Sequence, residues 1–452
     1  MSFSERQIMP RALAIIVFLI LTIDSGLVQT PLVHVSDLLF SPSALKLPLW
    51  TYAQIGILMA TGGLGKMPHL RAKPLDRALL GSVVCVALWT LVGAARSGDL
   101  QQAGFQTFEL LSAVLLAFVL MAVMKTPRDY AMLLGAVLAA SVYRAGIAII
   151  AYVFIARHLP WDRVPECMTS HHDSALFVAG IAILLAGAIE QPTRRARRLA
   201  LLLVPILLVA IQVNNRRLAW VNLAGALAGL FAALPGGAAT RRVRGIVISA
   251  APVLLLYVAV GWGRPESVFK PLRAFASVTS RDDLSTRSRD NENDGLIFTL
   301  ANNGVLGTGF GKEYIETDTS LSARVFTQYR YIPHNSLLAL LAFTGIGGFT
   351  GIFLPIALSV FLNGRVCRAP NVPPAVRVAA AVGVAEVAIC LNQMYGDMGF
   401  FSRTTLTILA TALATSGRLS AWSGAWPSRA SRTKIRACPT RIEVVSPRPL
   451  DG

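Results

Sequence analysis

Three short stretches gather the residue types that could do chemistry. In HNSLLALLAFTG, His334 and Asn335 stand where a polar segment turns into a long apolar one. Histidine is the side chain whose ordinary pKa lies near neutrality, so His334 is a candidate to take a proton from a hydroxyl. The plainer reading is a helix start, with Pro333 fixing the chain and Asn335 or Ser336 as the cap. In QVNNRRLAW, Arg216 and Arg217 sit beside Asn214 and Asn215 between two apolar runs. Guanidinium pairs bind phosphate through paired hydrogen bonds, and they also snorkel to lipid headgroups. In RSRDNENDG, Arg287 and Arg289 either clamp an anion or form a solvated salt-bridge surface with Asp290, Glu292 and Asp294.

A fourth stretch, GTGFG (Gly307 to Gly311), has the look of a nucleotide loop. It lacks the Lys-Ser/Thr pair and the preceding strand that such a loop needs. A tight turn that brings backbone close to a ligand or to the membrane surface fits better, which makes Gly309 a binding candidate. Asp24 and Arg144 fall inside apolar runs, where an ionisable group faces an interior or a cavity; they either pair with each other or line a substrate route.

The elements that must position these residues are set by composition. The chain has 452 residues, 54% of them hydrophobic and 15% charged, with mean hydropathy +0.57. Many apolar runs approach the roughly 20 residues that cross a bilayer, and backbone in lipid must pair within its own helix. The expected fold class is therefore all-α, a polytopic membrane protein of about twelve spans. These run near 12–30, 47–64, 78–94, 105–124, 130–156, 174–188, 199–213, 218–234, 245–261, 335–362, 375–394 and 402–415, with a kink or break expected at Pro205.

The net charge of +18 is not a nucleic-acid footprint, because the positive residues lie mostly in alternate short links between apolar runs. That alternation predicts both termini in the cytoplasm. Four regions follow. Residues 1–261 form a membrane region of nine spans, 262–334 an outer loop or cap, 335–415 three further spans, and 416–452 a disordered cytoplasmic tail. The 73-residue loop holds nine Lys/Arg and nine Asp/Glu, so it is not a polybasic membrane patch. The five cysteines are scattered and show neither metal spacing nor a disulfide framework.

The order and spacing of NNRRLAW, of RDNENDGLIFTLANNGVLGTGFG (289–311) and of HNSLLALLAFTGIGGFTG (334–351) resemble the family of bacterial O-antigen ligases and O-antigen polymerases. The resemblance covers about Gln212 to Leu362. It implies glycosyl transfer at the periplasmic face of the inner membrane. The donor would be a glycan on undecaprenyl diphosphate. The acceptor would be a sugar hydroxyl, on lipid A–core in a ligase or on another lipid-linked repeat unit in a polymerase. Carried onto this chain, it implies Arg216 or Arg217 and Arg289 as phosphate clamps and His334 as the group that orients or deprotonates the hydroxyl. Asn335, Asn215, Arg287 and Gly309 would touch substrate. No cofactor, metal or nucleic acid is implied, and single displacement would invert the anomeric centre. Membrane lipids and a chain-length regulator are the expected partners. Ligase and polymerase stay open, since acceptor sites are not written in a short motif. A transporter or flippase of lipid-linked saccharide and a protein O-oligosaccharyltransferase are the alternatives.

Overall fold

The computed structural model describes residues 5–23, 39, 47–61, 72–159, 167–262, 264, 269, 272, 284–318 and 327–426. Among these the chain is helical, with no strand. In chain order the helices are α1 (Glu5–Thr22), α2 (Leu49–Thr61), α3 (Lys73–Ala95), α4 (Leu100–Val123), α5 (Pro127–Phe154), α6 (Asp173–Glu190) and α7 (Arg194–Val213). They continue with α8 (Arg217–Ala233), α9 (Ala238–Gly261), α10 (Leu284–Asn303), α11 (Ser336–Arg368), α12 (Pro374–Gly396) and α13 (Arg403–Trp422).

Local sequence sets the ends. Asp99 accepts hydrogen bonds from the N–H groups of Gln101 and Gln102 and starts α4. Thr126 and Asp129 form a reciprocal capping box at α5, with Pro127 in the first turn, where its missing N–H costs nothing. Thr193 and Ser402 cap α7 and α13 by accepting the N–H groups of Ala196 and Thr405.

Each expected span overlaps a helix in its described residues, with 24–30 of the first and 62–64 of the second outside them. Among the described residues seven helices, not twelve, are long and apolar enough to cross a membrane, namely α3 to α7, α11 and α12. This is the build of a membrane protein. α3 exposes Leu80, Val84, Leu88 and Leu91 along one stripe, the outward apolar face that lipid requires. The interior belongs to α12, which packs against α6, α8, α11 and α13, and to α13, which is buried from Thr404 to Ser420.

Several boundaries differ from expectation. α7 continues through Pro205 without a break, whereas α11 is broken at Gly345, whose φ of 58° and ψ of −171° are not helical. α13 runs past 415 to Trp422 with Ser416–Ser420 buried, so the tail cannot begin at 416. Residues 427–452, where that tail would lie, are outside the described residues. The segment between α9 and α11 holds a 20-residue helix, α10, that takes in the polar stretch from Leu284 as well as the apolar LIFTLANN.

Contacts fix two ends of the bundle. Ala72 N–H reaches the carbonyl of Gly417, Tyr130 Oη that of Ala414, and Arg377 pairs with Glu190 at 2.6 Å. These gather the starts of α3, α5, α7 and α12 with the ends of α6 and α11, where Lys73, Arg128, Arg194, Arg365 and Arg368 lie. The opposite end carries the start of α11, the end of α12 and the loop residues from 304 to 335.

Candidate functional site

His334 stands at the start of α11, where Asn335 caps the helix by accepting the N–H of Leu338 at 3.1 Å. Its carbonyl accepts the N–H of Met398 at 2.8 Å, tying it to the segment that follows α12. Its Nδ1 lies 2.9 Å from Oε2 of Glu292, and its own backbone N–H donates to the same oxygen at 3.2 Å. Glu292 is buried, so the ring is held from one side by an enclosed carboxylate. A proton on Nδ1 leaves Nε2 with its lone pair, which is the tautomer a base needs. Tyr329 covers the ring at 5.0 Å between centroids. Burial, followed by the charges of Glu292 and Asp397, pushes the Tyr329 phenol up, so it is a neutral hydroxyl at physiological pH.

Arg289 precedes Glu292 by three residues on α10, and that spacing puts both on one helix face. Asp397, directly after α12, is the second carboxylate. It meets Arg216 at 3.5 Å and His171 Nδ1 at 3.7 Å. Burial alone would raise the Asp397 carboxyl, but Arg216, His172, His171 and Arg289 together hold it below its ordinary value. The cluster thus draws Arg216, Arg289 and His334 to one end of the bundle with Glu292, Asp397, His171, His172 and Tyr329. They come from five separate segments of chain.

A buried frame supports it. Arg144 donates from Nε to Asp173 Oδ2 at 2.9 Å and from a second nitrogen to the same oxygen. That oxygen also accepts the N–H of Ser170 at 3.1 Å. Asn214, buried at the end of α7, accepts the N–H of Thr169 at 3.0 Å and donates to the Ser170 carbonyl at 3.2 Å. The strand of chain carrying His171 and His172 is therefore clamped on both sides. Arg144 pairs with Asp173; the alternative of a pairing with Asp24 falls on a residue outside the described ones.

The remaining candidates fall elsewhere. Arg217 begins α8 and is exposed beside the inward-turned Arg216. Asn215 is exposed and left-handed, with φ 55°, and makes the tight turn from α7 to α8. Arg287 is exposed on α10, about 200° around the helix from Arg289. Asn335 caps its helix and donates to Asn293 Oδ1 at 3.0 Å. Gly309 is not brought to the cluster. Its N–H donates to the Phe343 carbonyl at 2.8 Å, and with φ of 87° a Cβ there would run into the backbone of Gly93. Around it Trp89 Nε1 holds the Leu306 carbonyl at 2.7 Å, and Arg96 holds that of Gly307 at 2.6 Å. The glycine turn docks α3 onto the broken start of α11; its close approach is to protein backbone.

No protein-family model matches the chain. Nor does any curated protein match it significantly. The chemistry therefore has to be argued from the cluster itself. Among the described residues, no group of three or more His, Cys, Asp and Glu side chains is placed to share a metal ion. What the cluster offers is an imidazole held by a carboxylate, two guanidiniums and a hydroxyl at the end of a membrane bundle: His334 and Arg216 are 17% and 15% exposed.

Sequence reasoning gave Glu292 only as a salt-bridge mate on a solvated surface and passed over Asp397, His171, His172 and Tyr329. The signals were the i, i+3 spacing from Arg289 to Glu292, the HHD triplet at 171–173 just before an apolar helix, and an acidic residue in the short link between two apolar helices.

Proposed function

We propose that this protein is a membrane glycosyltransferase that moves a glycan from a polyprenyl diphosphate, undecaprenyl diphosphate in bacteria, to a sugar hydroxyl. The observation that carries this is the pairing of His334 with buried Glu292 in one cluster with Arg216 and Arg289. Base and anion clamps are what displacement of a diphosphate from an anomeric carbon requires. The acceptor oxygen attacks C1, and its proton passes to His334 Nε2. The C1–O bond to the β-phosphate breaks with its electron pair going to the diphosphate, and Arg216 and Arg289 stabilise that charge. Glu292 steadies the imidazolium, and Asp397 holds the Arg216 guanidinium in place. A single displacement inverts the anomeric centre. Both substrates are amphiphiles, so a site at one end of the helices meets them where their polar parts emerge.

This reading includes twelve spans in the inner membrane, both termini in the cytoplasm and the cluster facing the periplasm. It also assigns the protein to O-antigen or exopolysaccharide assembly, as polymerase or ligase, with cationic side chains doing the work of a metal.

The test is transfer by purified protein in proteoliposomes, given a polyprenyl-diphosphate-linked glycan and an acceptor sugar, with products read by mass spectrometry. Transfer that persists in EDTA and is lost in His334→Ala supports the reading. Movement of lipid-linked glycan across the bilayer without any new glycosidic bond would make it a flippase. In cells, single repeat units left by deletion identify a polymerase; bare core beside long carrier-linked chains identifies a ligase.

A further inference from the structure

The far end of α11 carries a feature that glycosyl transfer leaves unused. Arg365 and Arg368 stand one turn apart in its last two turns and line a cavity of about 610 Å3. The Arg365 guanidinium lies over Phe361 at 5.8 Å and over Trp426 at 6.0 Å. Stacking of this kind fixes the plane of the cation and leaves its N–H edge to hydrogen-bond outward. Arg368 is steadied by the Ala232 carbonyl at 3.4 Å. The other walls are largely apolar and include Ala233, Val360 and Val384. Next to the cavity α11 exposes Leu354, Val360 and Phe361 in a continuous apolar stripe.

We propose that this cavity binds the phosphate headgroup of an anionic phospholipid, whose acyl chains lie along the exposed stripe of α11. Charge complementarity selects that occupant. Two guanidiniums suit a net negative headgroup, and a zwitterionic one brings its own cation. The chain's own continuation is disfavoured, because residues 427–452 carry six Lys/Arg and two Asp/Glu. The glycan donor is disfavoured by distance. Roughly 26 residues of chain, most of them in α11, separate His334 from Val360 at the cavity, on the order of 35–40 Å at 1.5 Å per residue. The occupant therefore belongs to the other leaflet.

The experiment is native mass spectrometry of the full chain, delipidated in detergent and titrated with phosphatidylglycerol, phosphatidylcholine or inorganic phosphate. Wild type should hold phosphatidylglycerol about tenfold more tightly than phosphatidylcholine, or better, given roughly 1 kcal/mol for each basic residue. Arg365→Ala with Arg368→Ala should erase that preference, and the double lysine variant should keep part of it. Gly364→Leu is the control against misfolding. A Cβ at Gly364 meets nothing within 4 Å, so the fold tolerates it while the side chain fills the cavity. It should lower phosphatidylglycerol binding at unchanged melting temperature. Equal binding of the two lipids, or full binding in both the Arg→Ala pair and Gly364→Leu, overturns the proposal. So does displacement by millimolar inorganic phosphate, which would mark a free-anion site. Lipid binding that rises when the chain is cut after Trp426 would make the tail the occupant and overturn it too.

Discussion

Two arginine–aspartate pairs lie near the same end of the bundle, and they are built differently. Arg144 and Asp173 are both fully buried, joined by two hydrogen bonds to one oxygen, with the Ser170 N–H on that oxygen as well. Arg216 and Asp397 meet at 3.5 Å, longer than a good charge-assisted bond, and Arg216 keeps some exposure. Around Asp397 stand His171, His172 and Arg289 in addition. The first pair is closed: both side chains are buried and the contact is short. The second is a loose assembly of charges at an open edge, which an incoming anion can rearrange. Ion pairing alone does not mark a functional site; distance and access separate frame from site.

That contrast breaks if the two pairs respond alike. Arg144→Ala strands a buried carboxylate, at a cost of about 3–5 kcal/mol. The folded yield and the melting temperature in detergent should both drop, and a wild-type melting curve would remove the pair from the frame. Arg216→Ala, Arg289→Ala and His334→Ala should each lower glycosyl transfer by about 10²–10³-fold while melting stays near wild type. If melting falls with activity at Arg216, that pair is frame too. Gly309→Ala tests the docking turn, where a left-handed φ and the Gly93 backbone oppose a Cβ; a loss of about 1–3 kcal/mol in unfolding stability is expected. Glu292→Gln keeps a partner for the His334 ring but removes its charge, and transfer should fall about tenfold as the charge-assisted bond to the ring becomes a neutral one. The smallest effect is in pH. The Asp397 carboxyl is depressed in the fold, so its contribution is fully present above its unfolded value near about 3.9 and is lost only as pH falls through the lower folded value. Melting of Arg216→Ala should therefore decline at higher pH than wild type in an acid titration.

Much of the helical layout was legible because it is local. Pro127 with Thr126 and Asp129, Asn335 before an apolar run, and hydropathy itself mark elements within a few residues. Of the link charges read as alternating, Lys73, Arg128, Arg194, Arg365 and Arg368 lie at one end of the bundle. The partners of the chemistry were not legible. Glu292 looks in sequence like a mate for Arg287 or Arg289, and its distance of 42 residues from His334 hides their contact. Asp397 and the two histidines have no local pattern that joins them to Arg216. Proline was the visible break signal, yet the break is at Gly345, where the backbone of Val305 in the docking turn leaves no room for a side chain. The glycine turn was readable as a close approach, but what it approaches is set by tertiary packing.

The wide separation of the clustered residues has a consequence for how the protein comes to exist. His171 emerges from the ribosome early, Arg216 and Glu292 later, and Asp397 more than 200 residues after His171. The turn at Gly309 has its seat on Gly93 ready, but its second seat, Phe343, has yet to be synthesised. At about 5–20 residues per second, the growing chain passes many seconds as an inserted but chemically empty bundle. The cluster is thus among the last features completed during biogenesis, and a truncated nascent chain released before α12 lacks Asp397 and with it the partner of Arg216.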